Sequence, residues 1–155
     1  MEQSASGKKK LDRLFVVHSV VAAAIGIFAM LFPNLFYFFF HSDGIVHQRH
    51  EDGCVHMISV IIRCYGCLIF VQGWITWNAR KVSDGKIRKT FVEAYFVAFL
   101  LTFIALLRGQ LTEGTVFHFF NWLNILGFLG LTVLYGYFIF FEKISVFEGL
   151  DKATS

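Results

Sequence analysis

Cys64-Tyr65-Gly66-Cys67 is formally a C-x-x-C. A dithiol of this spacing does redox work when one sulfur is held as a thiolate and stays within reach of a partner, most often at a helix N-terminus. Here both sulfurs fall inside a long apolar run, where burial raises a thiol pKa. Cys54, in the polar segment just before, is the one residue placed to shuttle electrons to such a pair. Four-helix thiol oxidoreductases use a second cysteine pair, and three cysteines do not supply one. Thiol redox chemistry at Cys64/Cys67 therefore stands as an alternative to inert core cysteines.

The second concentration of chemically capable side chains is the segment His41 to His56. It holds His41, Asp43, His47, His50, Glu51, Asp52, Cys54 and His56. His47 and His50 are three apart, a spacing that one helical turn can present to a metal. With no zinc signature around them, His47, His50, Cys54 and His56 are weak metal candidates and no cofactor is expected. Bis-histidine haem ligation needs ring nitrogens at one depth on facing helices, which His56 and His118 alone approach. The chain contains no P-loop, dinucleotide fingerprint or nucleophile–base motif.

Two ionisable residues interrupt apolar runs, Arg63 and Glu93. Such a residue in a span costs about 2.5–3.5 kcal/mol even on lenient scales, so it marks a functional site by default. At 1.5 Å per residue, Arg63 lies roughly 12 Å and Glu93 about 5–8 Å inside opposite ends of their runs, too far apart to pair. Each then needs local partners. For Arg63 these are Asn34, Asn121 and Asn124; for Glu93 they are His18, Gln72 and Tyr137. The result is two polar layers, read as interhelical glue or as an interior site for a lipid or small ligand.

These side chains need long helices to position them. Of 155 residues, 56% are hydrophobic and 16% charged. A soluble domain of this length cannot bury so much apolar surface. Four runs are long enough for the roughly 20 residues that a hydrocarbon core requires: about 14–40, 55–79, 90–107 and 116–141. The expectation is an all-α, four-helix transmembrane bundle over 14–141, between a basic tail at 1–13 and a second tail at 142–155. Lys8, Lys9 and Lys10 before the first run read as a retained signal anchor, because the run exceeds the 7–15 residues of a signal peptide. Pro33 falls near its far end.

Helical spacing places His56, Ser59, Arg63, Gly66, Phe70, Gly73, Trp77 and Arg80 on one sector of the second run, with Gly66 and Gly73 allowing another helix to come close. Asn121, Asn124, Phe128, Thr132 and Tyr135 form an interior stripe on the fourth. Lys and Arg concentrate in three segments that share a side: Lys8–Arg13, Arg80–Lys89 and the C-terminal tail. The opposite side has Arg49 and Arg108. By the positive-inside rule both termini are cytosolic. The net charge of +3 does not point to nucleic acid. Arg80, Lys81, Lys86, Arg88 and Lys89 instead offer a surface for anionic lipid or an acidic membrane-protein partner.

Arg63-x-Tyr65-Gly66 followed by Trp77-Asn78-Ala79, together with Phe32-Pro33 and Glu93-Ala94-x-Phe96, resembles the tumour-suppressor-inducible small four-span membrane proteins of animals. The likeness covers roughly Leu11 to Phe96, with a different loop length before the third helix. Ile61-Ile62-Arg63 also resembles, locally, the four-span scaffold family of sterol biosynthesis, a tether of the endoplasmic reticulum. Neither resemblance implies a catalytic residue. With the four spans and the basic Arg80–Lys89 segment, the expectation is a non-enzymatic scaffold or accessory protein of an internal membrane. The alternatives are a lipid or small-ligand carrier built around Arg63, and the thiol redox protein.

Overall fold

A computed structural model describes residues 2–35, 52–82, 84–113 and 119–141, with side chains over 7–35, 56–82, 84–112 and 121–141. The architecture is all-α. The long helices are α1 (Glu2–Leu31), α2 (Asp52–Ala79), α3 (Gly85–Glu113) and α4 (Phe119–Phe140). No strand occurs among the described residues. Segments of 25, 24, 28 and 20 residues within these helices are each long and apolar enough to cross a membrane.

The helix limits differ from the apolar runs in instructive places. α1 begins at Glu2 rather than near residue 14, so most of the expected basic tail is helical. Hydropathy sees only the apolar part, whereas Ala, Lys and Leu are good helix formers that carry the helix back through the lysines. Its other end comes early. Helical geometry lapses at Phe32 and resumes over 33–35, because Pro33 lacks an amide hydrogen and biases the residue before it away from helix. α3 starts at Gly85 because Asp84 caps it. The Asp84 carboxylate accepts from the amides of Lys86 at 2.8 Å and Ile87 at 3.4 Å.

Tertiary contacts divide into two sets, residues 16–77 and residues 1–15 with 78–155. In the first set α1 meets α2 at small residues. A Cβ on Gly26 would stand 2.6 Å from the Phe70 amide nitrogen and 2.7 Å from the Gly66 carbonyl oxygen. One on Gly66 would stand 2.8 Å from the Gly26 carbonyl oxygen, and one on Gly73 would stand 2.9 Å from that of Ser19. The backbones therefore touch where Gly66 and Gly73 are expected to admit a neighbour, and the neighbour is α1.

In the second set the core is aromatic. Leu11 and Phe15 of α1, Ala79 of α2, Val92, Tyr95 and Phe99 of α3, and Tyr135 and Phe138 of α4 form one buried cluster. Tyr135 is its hub, with ring centroids 5.4 Å from Phe99, 5.6 Å from Tyr95 and 6.5 Å from Phe15. Offset and tilted pairs at such distances are the favoured arrangements of aromatic quadrupoles. Thr132 and Tyr135 are buried and Phe128 half-buried, as the stripe on the fourth helix requires.

Much of the outward surface along the helices is apolar. Val17, Val20 and Leu31 of α1, Leu68 and Trp74 of α2, Leu101 and Ile104 of α3, and Leu126, Val133 and Phe140 of α4 are all exposed. Water penalises continuous apolar surface of this kind and lipid does not. The architecture is compatible with an integral multi-pass membrane protein.

Candidate functional site

Arg88 is the most deeply buried charged group described. Its side chain is 1% exposed, and its guanidinium donates through Nη2 to Asp12 Oδ1 of α1, whose side chain is 33% exposed. The guanidinium carbon also sits 5.6 Å from the centroid of the Phe15 ring, close enough for a cation–π contribution. Nε is buried without a hydrogen-bond partner among the described residues. Residues 12 and 88 are thus held level, one in α1 and the other in the first turn of α3.

This corrects the surface expected at Arg80–Lys89, because Arg88 is not available to a lipid or a partner. The reason is periodicity. Gly85, Arg88, Val92, Tyr95 and Phe99 are all buried, and their spacing of three, four, three and four residues traces one helical stripe. Arg88 belongs to the core stripe rather than to the polar loop that its neighbours resemble. Asp12, inside the run Lys8 to Arg13, gives no sequence sign of its partner, but the stripe containing Arg88 was there to be seen. Lys81 and Lys86 are exposed as expected, Arg80 is half-buried, and on α1 Lys8, Lys9 and Arg13 are exposed.

Of the two charges expected inside the spans, Glu93 takes a partner on its own helix and Arg63 takes none among the described residues. Glu93 lies 3.8 Å from Lys89 Nζ, one turn back on its own helix, with both side chains substantially exposed. Exposed pairs of this kind contribute at most a few tenths of a kcal/mol. His18 is buried in the 16–77 set, whereas Glu93 and Tyr137 belong to the other. Asn34 accepts through Oδ1 from the Ser59 hydroxyl at 3.2 Å, joining the residues after α1 to α2. One turn along α2, Arg63 is exposed and makes no hydrogen bond or ion pair with any described residue. Asn121 donates through Nδ2 to Gln110 Oε1 at 3.3 Å, linking the end of α3 to the start of α4, and Asn124 is half-buried. Asn34 and Arg63 are in one contact set, Asn121 and Asn124 in the other.

Cys64 and Cys67 are both exposed along α2 with free thiols. The Cys67 thiol donates to Met30 Sδ of α1 at 3.2 Å, a contact between soft side chains that suits packing. Among the described residues no three His, Cys, Asp or Glu side chains gather as a metal site. His47, His50 and His118, with the side chain of Cys54, lie outside the described residues, and His56 is exposed. No family model, no curated protein and no solved structure matches this chain.

Proposed function

We propose that the chain is a non-enzymatic scaffold or accessory protein of an internal membrane such as the endoplasmic reticulum. In this reading both termini are cytosolic, and the basic end of the helices is presented to anionic lipid or to an acidic membrane-protein partner. The observation that carries the reading is the exposure of Lys81, just after α2, and of Lys86, in the first turn of α3. Lys86 stands beside Asp84, whose carboxylate caps α3, and Arg88 in the same first helical turn is buried against Asp12. A cation on the capped start of a helix loses less entropy on binding than one on a loose loop. The excess of Lys and Arg on this side favours the cytosolic assignment.

The test is a mass-spectrometric inventory of what copurifies with the protein in mild detergent, compared with Lys81→Gln/Lys86→Gln. A stoichiometric protein or lipid present with the unaltered chain and depleted from the variant is expected. Identical inventories would count against the reading.

One observation favours a carrier as a second reading. Arg63 is an exposed charge within an apolar helix, one turn from the Asn34–Ser59 bond, with no partner among the described residues. An acidic lipid headgroup or solute would satisfy it. A lipid that copurifies with the unaltered protein and is lost in Arg63→Leu would select this reading. Failure of the reconstituted protein to bind or move any of a panel of lipids and solutes would remove it.

A further inference from the structure

We infer that Lys8 and Lys9 of α1, with Lys81 and Lys86 beside the start of α3, form one composite site for the multiply phosphorylated headgroup of an anionic membrane lipid. The Asp12–Arg88 pair assembles it. In sequence these cations are two separate basic segments. In the structure both belong to the contact set of residues 1–15 and 78–155, and the ion pair sets their register.

Beyond the pair, Leu11 and Phe15 of α1 share a buried cluster with Val92, Tyr95 and Phe99 of α3. The two helices therefore advance together away from this end. At 1.5 Å per residue, Lys8 stands about 6 Å before Asp12 and Lys86 about 3 Å before Arg88, on the same side of the pair. All four cations are exposed. Asp12, which would otherwise offset them, is neutralised by an arginine that contributes nothing to the surface. The amides of Lys86 and Ile87 are taken by Asp84, so side chains must supply the contacts to phosphate.

The site borders the start of the Gly7–Leu31 and Gly85–Thr112 spans. The bilayer delivers its own lipids to that boundary, which is why a headgroup is the occupant rather than a soluble anion. Clusters of four to eight Lys and Arg beside a span are the usual chemistry for such headgroups. The inference rests on the membrane placement proposed above and deepens it by naming the ligand class.

The experiment uses the full chain in phosphatidylcholine nanodiscs. These are doped either with a bis-phosphorylated phosphoinositide or with phosphatidylserine at matched total charge, and native mass spectrometry counts the bound anionic lipid. A preference for the phosphoinositide is expected. Lys8→Gln/Lys9→Gln and Lys81→Gln/Lys86→Gln should each weaken it roughly tenfold or more. Asp12→Asn is the discriminating variant. It makes the protein more positive, so a diffuse charge effect would tighten binding, whereas a site that needs the ion pair must lose affinity. The exchange Asp12→Arg/Arg88→Asp keeps both the pair and the net charge and should recover binding.

Equal retention of the two lipids would overturn the inference. So would unchanged or tighter binding in Asp12→Asn, or a preference that survives removal of either lysine pair. Where Asp12→Asn does not fold, the two lysine-pair variants and the charge exchange decide. Nanodiscs expose both faces, so the outcome does not depend on which face is cytosolic. Failure of the orientation would appear separately, in topology mapping.

Discussion

Arg88, in the first turn of α3, and Asp12 of α1 form an ion pair across 76 residues of chain, with the arginine side chain almost fully buried. Removing one partner of such a pair strands a buried charge, whereas replacing both with apolar groups is often neutral. Asp12→Ala should therefore lower stability by about 3 kcal/mol, the low end of the usual range because the aspartate is partly exposed. Asp12→Leu/Arg88→Leu should recover most of the loss. The check is the unfolding midpoint in detergent; a double variant as unstable as the single one would mean that the pair does more than satisfy Arg88.

The α1–α2 contact makes a sharper demand on individual positions. Gly26→Ala and Gly66→Ala place a methyl group under 3 Å from backbone atoms, which cannot move aside as a side chain can. Each should cost about 1–3 kcal/mol through overpacking. Gly127 and Gly130 have nothing within 4 Å of a built Cβ. Alanine there should be neutral or stabilising by up to about 1 kcal/mol, through helix propensity alone. Equal effects at all four positions in a thermal-shift series would contradict the close approach.

Arg63→Leu separates the two functional readings. Replacing an exposed charge in an apolar helix removes an insertion cost of about 2.5–3.5 kcal/mol. The scaffold reading expects folded yield to hold or rise and copurifying partners to persist. Loss of a bound lipid from the variant would move the binding site to the Arg63, Asn34 and Ser59 region.

Cys64 reports on the environment of α2. It is exposed on its helix, and in a bilayer that surface faces lipid or the interior of the assembled protein. A membrane-impermeant maleimide should leave Cys64 unmodified in intact nanodiscs and label it after denaturation in detergent, as read by mass shift. Rapid labelling in the intact particle would place the middle of α2 in water.

Much of this fold is written in local chemistry. The four apolar runs, Gly66 and Gly73 as contact points, and the interior stripe through Phe128, Thr132 and Tyr135 follow from length and a 3.6-residue period. The start of α1 was hidden because hydropathy measures burial in lipid, not helix propensity, and the lysines before Leu11 are good helix formers. Glu93 reads by depth as an intramembrane acid, yet Lys89 one turn away is the nearer partner. The Asp12–Arg88 pair was the least legible feature. Both residues sit among charged neighbours and look solvated, and a contact between elements 76 positions apart leaves no local mark. Only the register of Arg88 with Val92, Tyr95 and Phe99 betrays which way it faces.

The arrangement of the four helices about a bilayer underlies every functional statement above, and glycosylation mapping tests it most directly. The sequence has no N-x-S/T acceptor, so engineered acceptors start from a clean background. They are placed, with flexible spacers, before Lys8, between His41 and Cys54, between Lys81 and Lys86, between Arg108 and Val116, and after Lys152. With both termini cytosolic, microsomal synthesis glycosylates the 41–54 and 108–116 acceptors and leaves the other three unmodified. Modification of either terminus, or of the acceptor between Lys81 and Lys86, would contradict the account.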